Sequence, residues 1–138
     1  MKYIPIALLV FVAPASAEEL PIDPDVKEAT ISSTICKPGW IKSVRPSLHE
    51  WNRIKREKLL AAGLPEAEFE LDYIIPPSLG GAPDNPNNFQ LKPGNEVSER
   101  KALEDCLPRL VCERRLLLDE VRKAVWRDWR AALSLCRD

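Results

Sequence analysis

The fold turns on Leu71-Asp72-Tyr73-Ile74-Ile75-Pro76-Pro77-Ser78-Leu79-Gly80-Gly81 and on Asn85-Pro86-Asn87-Asn88-Phe89-Gln90-Leu91, which follows it. Residues 69–75 predict a short strand. Phe69, Leu71, Tyr73 and Ile75 share one face of it, and Glu70, Asp72 and Ile74 the other. Pro76-Pro77 ends the strand. The stretch through Gly80-Gly81 and Pro83 to Pro86 predicts an irregular loop, and Phe89-Gln90-Leu91 a second short strand. Aspartate is disfavoured inside strands, so Asp72 stands out as a residue kept for chemistry or for a loop partner. Asn88, at the junction of loop and strand, suits either a site or the closing of a turn.

Helices flank this centre. Ser47 and Glu50 form a Ser-x-x-Glu capping box behind Pro46, and Gly63 is a natural stop, so residues 47–62 predict a helix. Leu48, Trp51, Ile54 or Lys55, and Leu59 recur at helical spacing. A further helix is predicted from Glu96, capped by Asn95, with an apolar stripe of Leu103, Leu107, Leu110 and Val111. Pro108 should kink or shorten it. A last helix is expected from Asp119 to about Ser134, turning Val121, Val125 and Trp129 inward. Residues 18–30 are acidic, proline-containing and without period, and predict a loose arm.

The chain has 138 residues, and its first 17 have the form of a removable leader. Lys2 is followed by an apolar run to Pro14, then by Ala15-Ser16-Ala17 with Glu18-Glu19 just beyond. That run is too short for a membrane span, which needs roughly 20 residues. Cleavage leaves 121 residues, enough for one domain with a modest core. Secretion or residence in the periplasm is expected, with no membrane segment in the mature form. Four cysteines, Cys36, Cys106, Cys112 and Cys136, then suggest two disulfides of three possible pairings. A zinc site competes poorly, because no Cys-x-x-Cys pair exists and His49 is the only histidine. The charge balance, 20 basic against 21 acidic residues, does not force nucleic-acid binding.

The order Ile35-Cys36, Pro38-Gly39, Val44-Arg45-Pro46, a helix, Asp72-x-Ile74-x-Pro76, Leu79-Gly80-Gly81, Asn88, Leu103-Glu104, Val111-Cys112 and Asp128-Trp129 resembles a group of small exported bacterial proteins with an HNH, or ββα-metal, endonuclease core. The resemblance covers roughly residues 31–130. It implies an α+β fold in which a short two-stranded ribbon and a helix form the core, flanking helices wrap it, and disulfides staple it. With the leader over 1–17 and the arm over 18–34, the chain divides into three parts, the third an HNH-like domain over 35–138. The resembling proteins carry the Ile-Cys and Val-Cys positions together. Cys36–Cys112 is therefore the implied pair and Cys106–Cys136 the extra one.

The same resemblance implies a divalent metal, magnesium or a similar ion, held by Asp72 and Asn88, with Asn88 also placed to orient a catalytic base. Arg100 and Lys101 are the implied phosphate contacts, where other members resemble Lys-Asp-x-Leu-Glu. The substrate class would be nucleic acid, with a protein partner left unspecified. The departure lies at the base itself, because Tyr73 occupies the position of the catalytic histidine. Tyrosine titrates near pH 10 and histidine near 6.5, so the phenol is a donor at neutral pH. His49 is the other candidate base, on a helix face apart from Leu48 and Trp51. Two functions follow as expectations. One is a metal-dependent endonuclease-like protein impaired at its base; the other is a non-catalytic periplasmic binding module on the same scaffold. Glu104 reads as a surface or salt-bridge residue, and the tryptophans as core.

Overall fold

β1 (Phe69–Tyr73) and β2 (Phe89–Pro93) pair antiparallel, in register from Phe69 opposite Pro93 to Tyr73 opposite Phe89. This is the geometry of a computed structural model of the chain, which describes residues 10–13 and 18–137. The expected leader lies largely outside the described residues. Around the ribbon stand α1 (Trp40–Val44), α2 (Leu48–Ala62), α3 (Gly94–Cys112), α4 (Leu118–Arg127) and α5 (Trp129–Ala132). The architecture is α+β, a two-stranded ribbon wrapped by helices and closed by two disulfides.

Alternation along β1 sorts the ribbon into two faces. Leu71 and Tyr73, with Phe89 of β2, form a small apolar cluster that α2 covers through Trp51 and Ile54. The opposite face carries Asp72 toward α3. The main core lies beyond the ribbon. There Ile75 and Leu79 of the loop meet Leu103, Leu107 and Val111 of α3 and Leu118, Val121 and Val125 of α4. Burying each such side chain stabilises the fold by roughly 1.5–3 kcal/mol.

The arm is the first correction. Residues 18–34 are not loose. Ile22 bridges Gly81, Asp23 N donates to Gly80 O at 2.8 Å, and Ala82 N donates to Pro21 O at 2.9 Å. Val26 and Ile31 are fully buried in the main core. A segment without helical or strand period can still carry spaced apolar residues, and here the loop's backbone supplies its partners. The domain therefore begins before residue 35.

Local signals set most helix boundaries. Ser47 Oγ accepts from Glu50 N at 3.1 Å and so caps α2, which stops at Gly63 in a left-handed conformation. Only half of the capping box forms, because the Glu50 carboxylate turns to Arg53. Leu48 is exposed rather than inward. α3 starts at Gly94 behind Pro93, not at a cap from Asn95. Pro108 sits inside α3 without ending it. The buried stripe runs on to both sides of it, and a disulfide anchors the helix at Cys106 and another at Cys112. The single last helix is in fact two. Asp128 leaves helical geometry, at φ −160°, and its carboxylate accepts from Arg130 N and Ala131 N to start α5. A short acidic side chain competes for backbone N–H groups, which favours a cap over a helix interior.

Cys36 is joined to Cys112 and Cys106 to Cys136, with Cα separations of 5.6 and 6.1 Å. This is the pairing that the resemblance implies. Among the described residues no helix is long and apolar enough to cross a membrane.

Candidate functional site

The strand-then-loop design places Asp72 at the end of β1, facing the first turns of α3. Each of its carboxylate oxygens has a partner there. Oδ1 accepts from Tyr73 N at 2.9 Å, and Oδ2 accepts from Arg100 Nε at 2.8 Å. Arg100 Nη2 also donates to Tyr73 O and Ile74 O, both at 2.9 Å. The guanidinium is buried, at 5% exposure, and lies 5.2 Å from the centre of the Trp129 ring. Arg130 stands over the same ring at 4.3 Å. Arginine suits this role because its planar fork meets a carboxylate and carbonyls together and its charge is permanent. Nε and Nη2 of Arg100, expected as a phosphate contact, are thus spent inside the protein, while Arg100 also lines the smaller cleft beside Asp72.

Tyr73 packs between Trp51 and Phe89, with ring centres 5.2 and 5.1 Å away. Its hydroxyl donates to Pro83 O at 2.9 Å. Burial pushes its pKa up to about 12; Asp84 adds to the shift and Arg45 opposes it. A phenol in this state holds its proton throughout the neutral range. Its place on the ribbon's apolar face follows from strand alternation alone.

Asn88 is the second correction. It is completely buried, and its amide is committed to the loop backbone. Oδ1 accepts from Ile75 N at 2.9 Å, while Nδ2 donates to Ile75 O at 2.9 Å and to Ala82 O at 3.0 Å. Asn88, expected as a metal ligand or base-orienting residue, therefore has both its amide oxygen and nitrogen spent on clamping the loop. Gly81 makes the clamp possible, since a Cβ there would lie 1.8 Å from Ile75 O and 2.8 Å from Asn88 Nδ2.

The remaining candidates scatter. His49 is exposed on α2 and lines neither of the clefts that flank Asp72. Lys101 is exposed and lines the smaller of these, a cavity of about 230 Å³ that also involves Val97, Ser98 and Pro76. The larger, about 370 Å³, is lined by Arg45, Pro46, Trp51 and Tyr73. Both clefts share Asp72 and Glu104. The Glu104 carboxyl is held above its usual pKa, first by desolvation at the cleft wall, with Asp72 and Asp105 adding to it against Arg45 and Arg100. Arg45, Trp51 and Glu104 line the larger cleft together, although the sequence placed Trp51 in the core and Glu104 at the surface or in a salt bridge. The sequence signal was present only as fragments, Val44-Arg45-Pro46 and Leu103-Glu104, with nothing to say that they meet.

The donors around Asp72 do not fit a divalent ion as they stand. Magnesium needs free hard oxygens. Both oxygens of Asp72 are engaged, one of them by a fixed cation, and Asn88 is sealed in the loop. Among the described residues no group of three His, Cys, Asp or Glu side chains is placed to hold a metal. Comparison with known proteins adds no relative: no family model, no curated protein and no solved structure matches the chain.

Proposed function

We propose that this protein is an exported, non-catalytic binding module on an HNH-like scaffold, in which an internal guanidinium takes the place of the nuclease metal. The observation that carries this reading is Arg100 Nε at 2.8 Å from Asp72 Oδ2, with Nη2 on two β1–loop carbonyls. A permanent positive charge there satisfies the carboxylate that a metal would require. The state of Tyr73 supports the reading independently, because a buried phenol that donates to Pro83 O cannot take a proton from water near neutral pH. Two disulfides support passage through an oxidising compartment.

The test is plasmid nicking by the purified protein with magnesium or manganese, against an EDTA blank. The natural protein is expected to match the blank. Tyr73→His alone is expected to match it too, because Arg100 still holds Asp72. The triple change Tyr73→His, Arg100→Lys and Lys101→Asp rebuilds the pattern of the resembling proteins. It is expected to gain metal-dependent nicking, with the restored base contributing about 10²- to 10⁴-fold. Metal-dependent nicking by the natural protein that Asp72→Ala abolishes would refute the reading.

A further inference from the structure

The larger cleft beside Asp72 brings charged and aromatic side chains together from four parts of the chain. Arg45 comes from the segment just before α2, Trp51 from α2, Tyr73 from β1 and Glu104 from α3. Trp51 and Tyr73, with ring centres 5.2 Å apart, supply an aromatic surface. Of the three charged residues that line it, Asp72 is spent on Arg100. The other two are unspent. Among the described residues, neither the Arg45 guanidinium nor the Glu104 carboxylate forms a hydrogen bond or an ion pair, and no ion pair joins them to each other. Each nevertheless acts on the same cleft, for Arg45 bears on both Tyr73 and Glu104.

One free cation, one free anion and an aromatic wall in a space of about 370 Å³ define a ligand by its chemistry. Specific small-molecule sites start at roughly 300 Å³, mostly apolar, with a few polar groups that fix orientation. From this arrangement we infer that the cleft binds a small zwitterion with an apolar body, of the class of a free amino acid with an aliphatic or aromatic side chain. The ligand carboxylate meets Arg45, whose planar fork suits it. The ligand ammonium meets Glu104. The side chain lies against Trp51 and Tyr73. A nucleic acid satisfies only Arg45 and is repelled by Glu104, and a metal ion satisfies only Glu104. The inference rests on the reading that Asp72 is held by Arg100, since a metal at Asp72 would draw Glu104 toward itself.

The experiment is a titration of the purified ¹⁵N-labelled protein followed by NMR, first with magnesium chloride alone, then with L-valine, L-leucine and L-phenylalanine. Magnesium is expected to leave the amide signals of Asp72 and Tyr73 unmoved; specific shifts there would defeat the non-catalytic reading and leave the amino-acid arm to be judged by its own signals. At least one amino acid is expected to shift the Trp51 indole and the amides near Arg45 and Glu104 saturably. L-Leucinamide, which lacks the carboxylate, and N-acetyl-L-leucine, which lacks the ammonium, are expected to bind about 10- to 100-fold more weakly than L-leucine, as loss of a charge-assisted hydrogen bond implies. Arg45 and Glu104 are both exposed residues, so Arg45→Gln and Glu104→Gln are expected to fold normally. Glu104→Gln should erase the advantage of L-leucine over N-acetyl-L-leucine, and Arg45→Gln its advantage over L-leucinamide. No saturable shift with any of the three amino acids overturns the inference. Equal binding of the one-charge analogues, or unchanged binding by both variants, overturns it as well.

Discussion

Tyr73 and Asn88 show how neighbours convert residues of catalytic type into structural ones. The folded pKa of Tyr73, about 12, lies above the ordinary value near 10, mainly because burial disfavours the phenolate. The folded state therefore binds the proton more tightly than the unfolded state does. The stability this contributes is complete below pH 10 and is lost as pH climbs through about 12. Alkaline unfolding followed by circular dichroism should show that loss, and Tyr73→Phe should flatten this part of the profile. The same variant should cost about 1 kcal/mol at neutral pH through loss of the Pro83 hydrogen bond. Asn88→Ala should cost more. It strands the Ile75 N–H and the Ile75 and Ala82 carbonyls in a buried loop, at about 1–3 kcal/mol for each unsatisfied group. Urea unfolding should place the total at about 3 kcal/mol or above. A change within about 0.5 kcal/mol would mean that the clamp is not what holds the loop.

At the scale of elements, the ribbon is too short to stand alone, since two strands are marginal in water without a packed face. α2 covers one face with Trp51 and Ile54, and α3 reaches the other through Arg100 and Asp72. The break between α4 and α5 is the element-scale feature most open to test. Asp128 satisfies two N–H groups at the start of α5, and α5 carries Trp129, the ring under Arg100. Asp128→Ala should destabilise the protein by about 0.5–2 kcal/mol. Its effect should also reach the Arg100 side-chain NMR signal, because Trp129 is the next residue. An unmoved Arg100 signal would show that Trp129 is held by the core without the cap.

For the whole molecule, the disulfides divide the work unequally. Cys36–Cys112 closes a separation of 76 residues and ties the end of the arm to the end of α3, whereas Cys106–Cys136 closes 30. Loop-closure entropy gives about 4–5 kcal/mol for the first and about 3–4 for the second, as upper values. Replacing Cys36 and Cys112 by serine should therefore lower the urea midpoint more than replacing Cys106 and Cys136. The reverse order would mean that the arm, held by Val26, Ile31 and the Ile22–Gly81 bridge, stays in place without its bond.

Much of this was legible in the chain because it is governed by local physics. Alternation over Phe69 to Tyr73 sorts the faces of β1, Ser47 and Gly63 bound α2, and four cysteines behind a leader-like segment lead to two bridges. Those features depend on backbone preferences within a few residues. The arm was misread because its burial needs the Gly80-Gly81 loop, some 60 residues away, to offer N–H and carbonyl partners. The site was settled by tertiary structure for the same reason. Asp72 is a metal-type residue by sequence, and only the packing of α3 against the ribbon brings Arg100 to it across 28 positions. Asn88 looks equally available until the loop closes around its amide. A side chain's type and face are local properties, whereas whether its lone pairs are free depends on what the rest of the chain puts against it.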